Sequence, residues 1–180
     1  MQAAELAWWT QYMGSRTAVP RMLALYGARY HDFFFQEFEA GGRVVEYGSG
    51  PLPVMLTTRA NEMLAVDTLY SAYIEAGLTT DWIPWFNSAG EVPDGYFDTA
   101  LLLNVLDHTD DPETLIANAR RSLAPGGKAL VFVHLEQSDE KHKLVMLADV
   151  RRWFEDWELE RCEVKTAAYD PDAYMAVYRA

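Results

Sequence analysis

Residues along the chain follow two rhythms. Between positions 5 and 39 the spacing is helical, with Leu6, Trp9 and Met13, then Met22, Leu25, Tyr26, Arg29 and Tyr30, falling three or four apart, and Pro20 separates two predicted helices. From position 43 the rhythm changes to short apolar runs bounded by glycines and acids, the pattern of strands alternating with helices. Arg43-Val44-Val45-Glu46-Tyr47 reads as a buried strand that begins after the Gly41-Gly42 helix stop. A helix over 54–61, a strand over 63–67 and a helix over 69–76, closed by Gly77, follow. Pro84 makes 82–86 an edge strand, Pro93-Asp94-Gly95 is a turn, and 97–103, broken only by Asp98 and Thr99, is a central parallel strand covered on both faces.

Asp110, Asp111 and Pro112 open a helix that runs to 123 and is stopped by Pro125-Gly126-Gly127. A strand over 129–133 comes next, then a helix over 139–154 with Leu144, Leu147, Ala148 and Arg151 in register. Residues 158–166 and 174–178 alternate as two strands, turned into a hairpin by Asp170-Pro171-Asp172. Alternating strands and helices imply a parallel sheet with right-handed crossovers, to which the hairpin adds one antiparallel strand. The expectation is one domain, residues 1–42 forming an N-terminal helical cap and 43–180 the α/β core.

Composition narrows the function. The 180 residues, half of them hydrophobic, suffice for one core. Fifteen basic against 27 acidic side chains give a net charge of −12, which repels phosphate backbones and sets nucleic acid aside as a substrate. A lone cysteine, Cys162, forms no internal disulfide, and no cysteine and histidine cluster has zinc-ligand spacing, so no metal is expected. Glu5 stands where a signal peptide carries positive charge and no apolar run has the length of a membrane span, so the expected location is cytoplasmic with no membrane partner.

The chemistry concentrates at Val44-Val45-Glu46-Tyr47-Gly48-Ser49-Gly50-Pro51-Leu52-Pro53, where a strand ends on a carboxylate and passes through two glycines into a helix start. Glycines at 48 and 50 let a ligand approach backbone, and the helix start offers N–H groups. An ordinary strand-to-helix turn uses the same residues for geometry alone. Asp67 favours a nucleotide, because an acid closing the next strand can accept both ribose hydroxyls. A dinucleotide fingerprint needs glycine at 53, where Pro53 stands, and Glu46 would repel a pyrophosphate but attract a methionine-like ammonium.

With these residues the chain resembles the class I S-adenosylmethionine-dependent methyltransferases of small-molecule type. The likeness runs from Arg43 to Arg179 through Val45-Glu46-Tyr47-Gly48-Ser49-Gly50, Ala65-Val66-Asp67, Pro93-Asp94-Gly95-Tyr96-Phe97-Asp98, Asn104-Val105-Leu106-Asp107-His108-Thr109-Asp110-Asp111-Pro112 and Leu123-Ala124-Pro125-Gly126-Gly127. The resemblance implies a Rossmann-like three-layer α/β/α sandwich, with a mostly parallel seven-stranded sheet, a C-terminal antiparallel hairpin and the N-terminal helical cap. It implies S-adenosyl-L-methionine as cofactor and S-adenosyl-L-homocysteine as product. Glu46, Gly48 and Gly50 would surround the methionine portion, Asp67 would hold the ribose, Leu69 or its neighbour would lie against adenine and Ser88-Ala89 at the adenine amino group, with Ser49 and Thr68 also binding the cofactor. Asn104 and Val105 would approach the amino-acid end. The third glycine of the family's turn is Leu52 here.

Methyl transfer from a sulfonium is an in-line displacement driven mostly by positioning, and a histidine base helps when the acceptor carries a proton. His108, just after the fourth strand, lies at the rim where open α/β sheets bind ligands. His134 ends the fifth strand at the same rim, as substrate contact or polar loop end, and His31 is a lid residue or a helix-surface histidine. His142 falls in a charged stretch, and Asp107 either pairs with His108 or an acceptor or, as the favoured reading, is a solvated loop acid with Asp110 and Asp111. Most N-terminal aromatics read as core, with Tyr26 and Tyr30 the pair placed to cover cofactor and substrate, since an aromatic face attracts a sulfonium.

No segment is long enough for a module that recognises a macromolecule, which favours a small-molecule acceptor. The acceptor atom, O, N, C or S, stays open. Two alternatives stand beside methyl transfer: other chemistry with the same bound cofactor, and a catalytically silent regulatory subunit using its acidic, aromatic surface as an interface. A homodimer is compatible with either.

Overall fold

Seven strands make one sheet: β1 (Arg43–Tyr47), β2 (Glu62–Val66), β3 (Trp85–Phe86), β4 (Phe97–Leu103), β5 (Leu123–His134), β6 (Glu158–Lys165) and β7 (Ala173–Arg179), in the order β3-β2-β1-β4-β5-β7-β6. This computed structural model describes all residues except 1, 15–17, 32, 35–41, 79–82, 138, 140–141 and 166–171. Strands β3, β2, β1, β4 and β5 run parallel, and β7 is antiparallel to both β5 and β6. The single antiparallel strand is the one expected from the C-terminal hairpin. Its turn lies outside the described residues.

The sheet is covered on both faces, and strand alternation sorts the side chains. Ala100 and Leu102 join Val45, Val131 and Val133 on the face packed by Ile116 and Ala119 of α4 (Pro112–Ser122) and Val150 of α5 (Leu147–Trp153). Leu101 and Leu103 join Leu130 and Phe132 on the opposite face, beneath Trp9 of α1 (Gln2–Met13), Met22 and Tyr26 of α2 (Ala18–Tyr26), and Tyr73 of α3 (Tyr70–Glu75). Three layers result. The expected doubly covered strand over 97–103 is β4, whose last five residues are all buried.

Several expectations are corrected. Pro20 does not divide the N-terminal helices; it sits in the first turn of α2, where its missing N–H costs no helical bond. A π-helical turn, Gly27–His31, extends α2. The helix over 54–61 is a single 3-10 turn, Val54–Thr57: the Glu46 carboxylate takes its first N–H groups as a cap, and the turn ends because the chain is extended at Thr58. The helix over 139–154 shrinks to α5, since the backbone before it is tied elsewhere: Lys143 N–H donates to Asp107 C=O, and Glu136 N–H to Val145 C=O. β5 begins at Leu123 rather than 129, with a register shift opposite Phe97/Thr99. β3 is an edge strand as expected, and its position 82 and the Gly41 helix stop lie outside the described residues.

The strand order reverses between β1 and β4, so the loops leaving their C-terminal ends diverge and open a crevice, the usual ligand site of such sheets. No helix among the described residues is long and apolar enough to cross a membrane.

Candidate active site

The turn after β1 is fastened before any ligand arrives. Gly48 N–H donates to Val66 C=O at 2.8 Å, which latches the turn to the end of β2. Gly48 and Gly50 have φ of +66° and +60°, the left-handed region that glycine tolerates best. The space beside them is occupied by protein: a Cβ on Gly48 would stand 2.1 Å from Val105 Cγ2, and one on Gly50 would stand 2.8 Å from Trp9 Cζ2. Glycine is therefore demanded here by packing as well as by backbone shape. The sequence left ligand approach and turn geometry as alternatives, and neither included this packing.

Two acids flank this turn, and both hold it. Glu46 is 2 % exposed, and its oxygens accept from Val54 N at 3.0 Å and Met55 N at 2.8 Å. Burial pushes its carboxyl up to about 8, against the pull of those two N–H groups toward the anion. Asp67 is 9 % exposed; Oδ2 accepts from Gly50 N at 2.9 Å and Oδ1 from Leu69 N at 2.8 Å. Burial raises it to about 6, again partly offset by its backbone donors. A carboxylate has about four acceptor sites, so each acid keeps capacity for a ligand after serving the loop.

Above the turn lies a cavity of about 640 Å³. Its walls include Glu46, Gly48, Ser49 and Gly50 from the turn, Asp67, Thr68 and Leu69 beyond β2, and Asn104 and Val105 beyond β4. Tyr26 and Tyr30 cover it from the N-terminal side, and Ala89 reaches it from the loop after β3. Ser88 does not: it is exposed and caps the short turn Ala89–Glu91 by accepting from Gly90 N at 3.2 Å. His31 is also absent from the wall, its Nε2 lying 3.0 Å from Thr57 Oγ1.

His108 and His134 line the same cavity, joined by His142, which the sequence placed in a solvated stretch. The ring centroids of His108 and His142 are 4.4 Å apart, those of His134 and His142 are 6.3 Å apart, and His134 stands edge-on to Phe132 at 5.0 Å. Asn104, with a left-handed φ of 59°, places Nδ2 3.2 Å from His108 Nε2. Asp107 corrects a second expectation: it is 0 % exposed, and burial raises its carboxyl above the ordinary range. The turn after β4, closed by His108 N–H donating to Val105 C=O, carries it inward. Glu5 and Trp9 of α1 are further wall residues missed by the sequence reading, although the helical spacing that placed Trp9 on the packed face was already a signal.

A cavity of this size at the switch point of a β3-β2-β1-β4-β5-β7-β6 sheet, with acids at the ends of two adjacent strands, is the architecture of a Rossmann-like nucleotide site. The sequence matches the methyltransferase domain family over residues 20–174, and the chain belongs to that family. A SAM-dependent methyltransferase from Archaeoglobus fulgidus superposes with a TM-score of 0.67 at 14% identity, covering 88% of this chain and 94% of that one. The 1,6-didemethyltoxoflavin-N1-methyltransferase of Burkholderia thailandensis, solved with 1,6-didemethyltoxoflavin and S-adenosylhomocysteine, gives 0.62 at 15% identity, covering 87% and 77%. The [4+2]-cyclase SpnF gives 0.63 at 15% identity, covering 88% and 79%. At these identities the likeness establishes the fold, that of the SAM-dependent methyltransferases. A search of curated proteins finds no match.

Proposed function

We propose that the protein transfers the methyl group of S-adenosylmethionine to a small-molecule acceptor and releases S-adenosylhomocysteine. The observation that carries this is the shared cavity, with Glu46 and Asp67 toward one end and the His108, His134 and His142 rings gathered in the same space. Asp67 accepts the ribose hydroxyls, Glu46 and Asn104 face the amino-acid portion, and Leu69 lies against adenine with Thr68 and Ala89 beside it. Tyr26 and Tyr30 present aromatic faces that favour a sulfonium.

In the reaction, an acceptor lone pair forms the bond to the methyl carbon as the carbon–sulfur bond breaks and its electron pair returns to sulfur. Any acceptor proton passes to an imidazole of the cavity, with His134 or His108 in reach, or to solvent. A volume of about 640 Å³ suits a nucleoside cofactor with a compact acceptor, and the net charge of −12 opposes nucleic acid. The Burkholderia neighbour, holding a small heterocycle beside the spent cofactor, supports the same reading.

The test is calorimetric binding of S-adenosylhomocysteine, followed by incubation with methyl-labelled S-adenosylmethionine and fractionated cell extract. Label appearing in low-molecular-weight products is the expected result. Label in protein or RNA overturns the acceptor class, and bound cofactor whose methyl never moves would place this chain with chemistry such as that of the cyclase neighbour.

A further inference from the structure

Asp107 and His108 sit in the turn after β4, and His142 in the loop between β5 and α5. Each offers one ligand atom, and the three atoms lie within 4.8 Å of one another. The two loops are held together by backbone and charge: Lys143 N–H donates to Asp107 C=O at 2.7 Å, and the Lys143 ammonium pairs with Asp110. The fold itself thus presents His142 to its two partners.

Asp107 is the anomalous member. It is 0 % exposed, neither carboxylate oxygen has a hydrogen-bond partner among the described residues, and the approach to His108 Nε2 is 3.9 Å. A buried carboxylate without donors is costly unless a cation meets it. The imidazoles are oriented as in metal centres, with an acid behind each ring. His108 Nδ1 lies 3.4 Å from Glu5 Oε2, and His142 Nδ1 lies 2.7 Å from Asp139 Oδ1 with the Gln137 amide beside it at 3.0 Å. An acid at Nδ1 holds the proton there and leaves Nε2 as the lone-pair nitrogen; on His108 that nitrogen stands 3.2 Å from Asn104 Nδ2 and 3.9 Å from Asp107 Oδ2, so a bound ion would displace the Asn104 amide.

We propose that Asp107, His108 and His142 bind one divalent transition-metal ion at the cavity wall, with its remaining coordination positions open to an acceptor oxygen or nitrogen. Two imidazoles and one carboxylate suit zinc, cobalt or iron(II) better than magnesium or calcium. Bonds of about 2.1 Å in a tetrahedron set ligand atoms about 3.4 Å apart, so the cluster draws in on binding. All three ligands stand in turns or loops, outside helix and strand. Its catalytic use, though not the binding itself, rests on the methyl-transfer reading: the ion polarises the acceptor, His108 becomes a ligand, and His134 is the imidazole left for the proton.

The untagged full chain carrying Cys162→Ser, which removes an exposed thiol as a competing ligand, is titrated with Co²⁺ and followed by its visible d–d bands, with Zn²⁺ uptake measured by equilibrium dialysis. One equivalent is expected, weakened about 100-fold or more by His142→Ala or Asp107→Asn, and about 10-fold by Asp139→Asn, whose carboxylate lies against His142 Nδ1. Asp107→Asn removes an unsatisfied buried charge, so its thermal melt is expected at or above the parent's. Absence of saturable uptake by the natively melting parent protein, or uptake indifferent to His142→Ala, overturns the site. S-Adenosylhomocysteine binding on the same samples separates the two ideas: nucleoside binding without metal uptake defeats this one alone, and metal uptake without nucleoside binding defeats only the methyl-transfer reading.

Discussion

Gly48 and Val105, in loops that leave neighbouring strands, touch so closely that a Cβ on the glycine would stand 2.1 Å from Val105 Cγ2. Gly48→Ala is therefore destabilising twice over. A φ of +66° costs an alanine about 1–2 kcal/mol, and the collision adds about 1–3 kcal/mol of overpacking. Urea denaturation of Gly48→Ala, Val105→Ala and the double variant tests the packing part: truncating Val105 removes the nearest atom, Cγ2, and eases the collision although Val105 Cβ would still stand 2.7 Å away, so the double variant should lose less than the sum of the single losses. Additive effects, with a coupling below about 0.5 kcal/mol, would show that packing plays no part.

Asp67 is bound to both sides of the site it serves. Its oxygens hold Gly50 N and Leu69 N, so Asp67→Ala is expected to weaken S-adenosylhomocysteine binding by about 1.5–3 kcal/mol and also to lower stability by about 1–3 kcal/mol, through two buried donors left unmet. Calorimetry gives the first number and denaturation the second. Unchanged affinity in the folded variant removes Asp67 from the ribose.

Trp9 lies on the glycine turn, and its Nε1 donates to Glu5 Oε1 at 2.8 Å, so one helix covers the turn and reaches His108 through Glu5 Oε2. α1 thus lies over the glycine-turn side of the cavity. Trp9→Ala should speed S-adenosylhomocysteine release about 10- to 30-fold, the effect of truncating a central buried tryptophan, with a smaller change in the association rate. Stopped-flow displacement measures both. An unaltered dissociation rate would mean that α1 packs beside the ligand without holding it.

How much of this was legible depends on which forces act locally. β4 matches its expected bounds because a strand buried on both faces must be apolar throughout, and few other structures tolerate that run. Asp67 and Glu46 were found by position at strand ends, yet their bonds to Gly50, Leu69, Val54 and Met55 depend on a loop path that no spacing rule gives. Asp107 was misread because Asp110 and Asp111 beside it suggest solvent, whereas one tight turn and the Lys143 backbone bond draw it inside. His142 carries no local signal at all. It reaches His108 across 34 positions by tertiary contact, and the same contact withdrew residues 142–146 from the expected helix.

Proton release provides the sharpest check on the acids. With Glu46 raised to about 8 and Asp67 to about 6 in the free protein, Glu46 is mostly protonated at neutral pH and Asp67 mostly ionised. Both values lie above those of an unfolded chain, so the native state holds extra protons: the stability each acid allows is complete below the ordinary carboxylate range and declines as pH rises through 6 and then 8. The ligand-free melting temperature should accordingly fall between pH 5 and pH 9. A bound ammonium favours the Glu46 anion, so binding expels a proton and affinity should climb from pH 6 until Glu46 ionises in the free protein at about 8. Calorimetry in buffers of different ionisation enthalpy counts the proton directly, and Glu46→Gln should abolish most of the count. Affinity that falls across this range, or heats that ignore the buffer, would place the ammonium away from Glu46 and leave that acid as a fastening for the 3-10 turn alone.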